Sequence, residues 1–261
     1  MKTVVVLPTY NEQENIQEII PRLEHVFQNI PKHEFHILVA DDNSPDKTAE
    51  SVQKFIKEYN NIHLLLGQKQ GLGAAYWKGF AYAIEKHNAE LLFEMDADLS
   101  HPPEMIPQFI EEINKGYDIV IGSRYIKGGA TPDWPLQRWI ISKGGNTVAR
   151  VIAGLHNIHD CTSGFRAVRA STFQRVHPEN IKTKGYGFQI TLLYELLRKG
   201  AKIKEIPLIF YDRKFGRSKV TQKDIIEFFC NACRLRWKSL IEQMSFVFDK
   251  IPKRINPGGN G

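Results

Sequence analysis

Through the first half of the chain, short apolar runs alternate with longer amphipathic ones, and this alternation limits the fold more than any other feature. Residues 3–7, 35–40, 62–66, 91–95 and 118–121 read as buried strands. Between them, residues 12–27 carry Ile16, Ile19, Ile20, Leu23 and Phe27 at helical spacing, and residues 46–59 carry Val52, Phe55 and Ile56 on one face. Residues 73–86 and 103–115 complete the series of helices. Strands that alternate with helices build an α/β fold with a mostly parallel sheet and right-handed crossovers. Such sheets bind ligands beyond the carboxyl ends of their strands. The polar motifs of this chain follow those ends, so they should converge on one crevice.

The pattern changes after residue 121. Residues 128–135 form a loop, and 136–155 read as a helix with Gly144-Gly145 as a weak point. A helix over 187–199, an extended run over 202–211 and a long amphipathic helix from 221 to about 244 follow. No repeat or linker splits the chain. It reads as one domain over 1–240, a C-terminal amphipathic segment over 221–252 and a disordered tail over 253–261. The 261 residues are 42% hydrophobic and 25% charged, which excludes wholesale disorder, collagen and coiled coil. No stretch nears the ~18 uninterrupted apolar residues of a spanning helix. Residues 4–7 are too short an apolar run for a signal peptide. Three cysteines make no disulfide framework, so a reducing compartment is expected. The net charge of +6 points to an anionic partner: nucleic acid, an anionic membrane surface or a phosphorylated substrate.

The most informative segment is Glu94-Met95-Asp96-Ala97-Asp98-Leu99-Ser100-His101, where an apolar strand runs into two carboxylates. On extended backbone, residues i and i+2 point the same way, so Asp96 and Asp98 can address one site. Hard oxygen ligands of this kind suit Mg²⁺ or Mn²⁺ shared with substrate phosphates. The same residues also fit a capped turn before Pro102-Pro103.

Other motifs follow other strands. After the first come Pro8-Thr9-Tyr10-Asn11-Glu12, and after the second Asp41 to Thr48. A carboxylate there can accept from a ribose hydroxyl or base edge, and Tyr10 can pack on a base. Ser44 or Asp46 also fits as a helix N-cap, which leaves Asp41 unexplained. Residues 68–75 carry Gly71 and Gly73 where a helix opens. Their backbone donors can face a phosphate, or they form a tight turn. Arg124, Arg138, Arg166, Arg213, Arg217 and Lys219 are cations suited to phosphate or to solvent. Cys230 and Cys233 read as buried small residues of a helix, and the nine histidines form no ligand-spaced cluster.

Taken in order, these motifs resemble the dolichol-phosphate (polyprenol-phosphate) mannosyltransferases of glycosyltransferase family 2, of the kind that is a catalytic subunit without transmembrane helices. The segments Asp160-Cys161-Thr162-Ser163-Gly164-Phe165-Arg166 and 213–219 add specificity, and together the motifs span about residues 3–240. The resemblance implies a GT-A fold and an inverting dolichyl-phosphate β-D-mannosyltransferase. It implies GDP-mannose as donor, dolichyl or another polyprenyl phosphate as acceptor, and Mg²⁺ or Mn²⁺ as cofactor. It places Pro8, Tyr10, Glu12, Val39 and Asp41 around the nucleoside. Asp96, Ala97 and Asp98 stand at the diphosphate and metal, and Arg124, Arg138, Arg213 and Lys219 on phosphates. Some relatives have Gln where this chain has Ser100, so water is an alternative third ligand.

A lipid acceptor calls for a membrane surface, and subunits of this type can depend on small transmembrane partners. Ile225, Phe229, Cys233, Trp237, Leu240 and Met244 trace an apolar stripe beside Arg234, Arg236 and Lys238. Such a helix can lie in the interface or pack on its own domain. The expected location is the cytoplasmic face of a membrane, in a eukaryote the endoplasmic reticulum. Two other readings stand beside this one. A polyprenyl-phosphate transferase could use another donor such as UDP-glucose. A nucleotide- or RNA-binding module is disfavoured by the missing RNA-binding aromatic signature, so nucleic acid is not expected as a partner.

Overall fold

The computed structural model describes residues 1–181, 183, 185, 187–213 and 222–249. In chain order the strands are β1 (Lys2–Thr9), β2 (Glu34–Asp41), β3 (Ile62–Leu66), β4 (Leu91–Glu94), β5 (Ile119–Ser123), β6 (Arg166–Arg169) and β7 (Ile203–Pro207). The helices are α1 (Gln13–Gln28), α2 (Thr48–Glu58), α3 (Leu72–His87), α4 (Ile106–Asn114), α5 (Leu136–Val151), α6 (Ala170–Phe173), α7 (Phe188–Arg198) and α8 (Gln222–Asp249). One sheet has the order β3-β2-β1-β4-β6-β5-β7. Every pairing is parallel except those of β6, which runs antiparallel to both β4 and β5.

The GT-A expectation of a mostly parallel sheet holds, with one strand that periodicity could not show. Arg166-Ala167-Val168-Arg169 has neither an apolar run nor a turn signal, because its two arginines are held by tertiary contacts. Other limits shift modestly. Strand β4 stops at Glu94, and α5 stops at Val151 while running unbroken through Gly144-Gly145.

The central strands of the sheet are buried on both faces. Val5 and Leu7 of β1 pack with Ile16, Ile20 and Phe109 from α1 and α4. Val4 and Val6 point the other way, onto Tyr76 and Phe80 of α3 and Phe188 of α7. Helix α3 lies so close that glycine is required twice. A Cβ on Gly79 would sit 2.6 Å from Val6 Cγ1, and one on Gly73 2.3 Å from Phe188 Cβ. Gly73 therefore serves helix packing.

Candidate active site

Chain topology delivers the polar motifs to the carboxyl ends of β1, β2, β4 and β5. Asp41 is the last residue of β2 and is buried. It accepts from Thr9 Oγ1 at 2.8 Å, from Ser44 N at 2.9 Å and from Ser44 Oγ at 2.5 Å. These bonds pin the turn that follows β2 beside the end of β1. Neither Ser44 nor Asp46 is the N-cap of α2, a position taken by Lys47 in left-handed backbone. Ser44 Oγ instead accepts from Asn11 N at 2.9 Å, and Asp46 Oδ2 from Gln13 N at 3.1 Å. The loop after β2 thus caps the start of α1. Glu12 accepts from Asn15 Nδ2, and Lys69 Nζ lies 3.5 Å above the Tyr10 ring. Pro8 and Val39 lie within β1 and β2.

Asp42 goes unmarked in the sequence because it follows Asp41. It lines a cavity of about 420 Å³ with Gly67, Trp77 and Lys78. Burial pushes its carboxyl up while Lys78 pulls it back.

Asp96 and Asp98 stand past the end of β4, in a bend where Leu99 has φ 66°, so the pleat itself does not align them. Tyr76 Oη donates to Asp96 Oδ1 at 3.0 Å, and Asp96 N donates to His101 Nδ1 at 3.0 Å. Ser100 N and Oγ donate to Asp98 Oδ1 at 3.2 and 2.5 Å, so Ser100 orients that carboxylate. Burial, and next the charge of Asp98, push Asp96 up to about 7. Arg213 Nη2 lies 3.2 Å from Asp98 Oδ2. Two carboxylates that repel each other and draw in an arginine have the chemistry of a divalent-cation site. His101 is buried and stacked on Phe165, with ring centroids 5.1 Å apart, and burial holds it down to about 4 as a neutral ring.

The cations divide into distinct roles. The guanidinium of Arg124 is closed on Asp160. Nε and Nη2 donate to its two oxygens at 2.7 Å each, and Nη2 also reaches Thr162 Oγ1 at 2.9 Å. It holds the 160–166 segment against the end of β5 in place of the phosphate contact expected from sequence. Arg166 is not on the surface. It is fully buried, donates to Gln189 O and Cys161 O, and lies 3.8 Å from Glu94. Burial pushes Glu94 up to about 7, with Arg166 opposing. Arg138 Nη1 donates to Asp212 Oδ1 at 2.8 Å, so α5 is linked through the 212–213 pair to Asp98. Lys219 and Arg217 lie outside the described residues.

Two other expectations are corrected. Cys230 and Cys233 are exposed, because the domain-facing side of α8 is formed by Asn231, Ala232 and Leu235. His36, His63 and His87 do form a ligand-spaced cluster. They are far apart in sequence and meet only through the sheet. The described part of the apolar stripe on α8 faces outward: Ile225, Phe229, Trp237 and Leu240 are exposed. Helix α5 packs beside α8 and exposes Leu136, Ile140 and Ile141. Met244 lies outside the residues whose side chains are described. No described helix is long and apolar enough to cross a membrane.

Residues 4–176 match the family model described as Glycosyl transferase family 2. Over 228 residues the chain is 37% identical to the polyprenol monophosphomannose synthase of Mycolicibacterium smegmatis, spanning 87% of this chain and 83% of that protein. It is also 37% identical over 245 residues to the undecaprenyl-phosphate mannosyltransferase of Micrococcus luteus, spanning 92% and 98%. A crystal structure of glucosyl-3-phosphoglycerate synthase from Mycobacterium tuberculosis, holding Mn²⁺ and UDP-glucose, superposes with a TM-score of 0.64 at 17% identity, over 89% of this chain and 79% of that one. At that identity the likeness is one of fold.

Proposed function

The chain belongs to glycosyl transferase family 2, among its polyprenol-phosphate mannosyltransferases, and from that premise we propose that it transfers mannose from GDP-mannose to a polyprenyl phosphate such as dolichyl phosphate. The observation that carries this reading is the Asp96–Asp98 pair at the mouth of the sheet. Arg213 is drawn onto it, in a chain 37% identical over most of its length to proteins named for polyprenyl-phosphate mannose transfer.

The acceptor arrives activated. A phosphate monoester has a second pKa near ~6 and is mostly dianionic at neutral pH. It attacks the anomeric carbon without a general base, and the C–O bond to GDP breaks as the new C–O bond forms. One displacement inverts the sugar from an α-linked donor to a β-linked mannosyl phosphate. What this chain's residues must do is hold two anionic groups in line and stabilise the departing diphosphate. Asp96 and Asp98 would hold Mg²⁺ or Mn²⁺. Such an ion would supply charge neutralisation to the departing diphosphate, and Arg213, now beside Asp98, would turn toward a phosphate. Ala97 sits between the two ligands. Pro8, Tyr10, Glu12, Val39 and Asp41 form the nucleoside side of the crevice. Arg213, Lys219 and Arg138 serve the phosphates, and Arg124 positions the 160–166 wall through Asp160.

The acceptor's lipid fits the outward apolar face of α5 and α8. Lys143 lies 4.4 Å from the Trp139 ring on that face, and Arg234 and Arg236 are exposed beside it. A basic amphipathic surface of this kind seats in a membrane interface. Because Arg138 of α5 joins Asp212, the face abuts the site where the lipid phosphate must react. The enzyme so placed is peripheral, on a cytoplasmic membrane face, with small transmembrane subunits as candidate partners.

The test is transfer of radiolabel from GDP-mannose, with UDP-glucose in parallel, to dolichyl and undecaprenyl phosphates in detergent. Both donors are tried with and without Mg²⁺ or Mn²⁺. Metal-dependent label in the lipid phase from GDP-mannose alone is expected. Label from UDP-glucose alone would overturn the donor, and metal-independent label would overturn the role given to Asp96 and Asp98.

A further inference from the structure

Well away from the carboxylate pair, three imidazoles converge at the opposite end of the sheet. His36 lies in β2, five residues before Asp41, or roughly 16 Å at ~3.3 Å per residue. His63 lies in β3, the edge strand, and His87 is the last residue of α3. His36 pairs in register with Val4, and His63 with Leu38, so both stand on the face that α3 covers. One ring nitrogen from each of the three lies within 4.8 Å of the others. His36 Nδ1 is 3.0 Å from His63 Nε2, and the His63 and His87 rings are 3.9 Å apart between centroids. His87 Nε2 is buried with no hydrogen-bond partner among the described residues.

We propose that His36, His63 and His87 form a binding site for Zn²⁺ or a similar divalent transition ion. Imidazole nitrogens are the donors such ions prefer. A tetrahedral zinc with bonds of ~2.1 Å needs its ligand nitrogens ~3.4 Å apart, a spacing small ring rotations reach from the present one. The outer contact is also in place. Glu34 Oε1 lies 3.0 Å from His36 Nε2 and can accept a hydrogen bond from it, in the tautomer that turns the Nδ1 lone pair toward the other two rings. Glu34 is itself held by Lys2 at 2.9 Å. All three ligands are partly buried. The bound ion would tie edge strand β3 to β2 and to the end of α3, a structural clasp remote from the transferase site.

The experiment uses the full chain with Cys230→Ser and Cys233→Ser to remove the exposed thiols, stripped with chelator and kept in saturating Mg²⁺ to fill the carboxylate site. Zn²⁺ is titrated calorimetrically, and metal retained after gel filtration is counted by atomic absorption. One zinc per chain is expected, with a rise in Tm of about 5–10 °C at a zinc concentration ~100-fold above Kd. His63→Gln and His87→Gln should each abolish the retained zinc and the Tm rise. His87→Gln lies at a helix end and serves as the second variant should His63→Gln fold poorly. A parent that retains no zinc, or variants that retain as much as the parent, would overturn the proposal.

Discussion

Removing Asp160 should unfold the wall of the site by leaving Arg124 buried and unpaired. Asp160 accepts three hydrogen bonds from Arg124, from N at 3.0 Å and from Nε and Nη2 at 2.7 Å each. The side chains are 8% and 0% exposed, so water cannot replace the missing partner. Deleting one member of a buried ion pair costs about 3–5 kcal/mol. In a chain of this size each kcal/mol lowers Tm by roughly 2–4 °C, so Asp160→Ala should melt about 10 °C below the wild type. Replacing both members, as Arg124→Met with Asp160→Leu, leaves no stranded charge and should recover most of that loss. The pH dependence has a definite sign. Burial would raise Asp160, but Arg124 outweighs it and holds the carboxyl below its usual range. The pair's contribution is therefore full above the ordinary carboxylate pKa of ~3.9 and fades as pH falls through the lower folded value. Thermal melts by circular dichroism at pH 7.5 and 3.5 measure both effects. A single variant within about 1 kcal/mol of wild type at pH 7.5 would refute the reasoning. So would a double variant as unstable as the two singles summed.

Three further outcomes are expected. Asp96 is held up to about 7 by burial and by Asp98, so metal-free protein should lose stability as pH rises from about 4 to 7. Asp96→Asn should then melt above the wild type at pH 8 without metal, and the difference should vanish near pH 4; a variant less stable at pH 8 would contradict the assignment. Gly73→Ala forces a Cβ to 2.3 Å from Phe188 Cβ, so it should cost about 1–3 kcal/mol in denaturant unfolding, and a neutral result would show that α3 and α7 can part. Changing exposed Ile226, Phe229 and Trp237 to Glu should abolish sedimentation with anionic vesicles while leaving the melting curve in place. Vesicle binding that persists would remove α8 from the membrane face.

Those parts of the fold that rest on local periodicity are legible in the sequence. The runs of β1, β2 and β3 and the amphipathic faces of α1, α2 and α4 mark their own positions. What depends on distant partners is not legible. Strand β6 is two arginines around Ala167-Val168, and it becomes a strand only because β4 and β5 flank it. Asp96 and Asp98 can be picked out as a pair, but the bend at Leu99 that presents them cannot. Arg124 and Arg166 look alike in sequence, and only tertiary partners separate one closed on Asp160 from one buried against Glu94. The three histidines are scattered over 52 positions, from 36 to 87, and two neighbouring strands and the end of α3 collect them. The exposure of Cys233 follows from which side of α8 meets the domain, which helical spacing alone leaves open.

The most direct measurement of the central claim follows label from GDP-mannose into undecaprenyl phosphate with Mn²⁺, comparing wild type with Asp98→Ala in one time course. If Asp98 holds the metal as proposed, its loss removes several kcal/mol of charge stabilisation, so the variant should turn over at least ~10²-fold more slowly with an unchanged circular dichroism spectrum. Equal rates in the two proteins would contradict the claim that Asp96 and Asp98 are where the sugar is transferred.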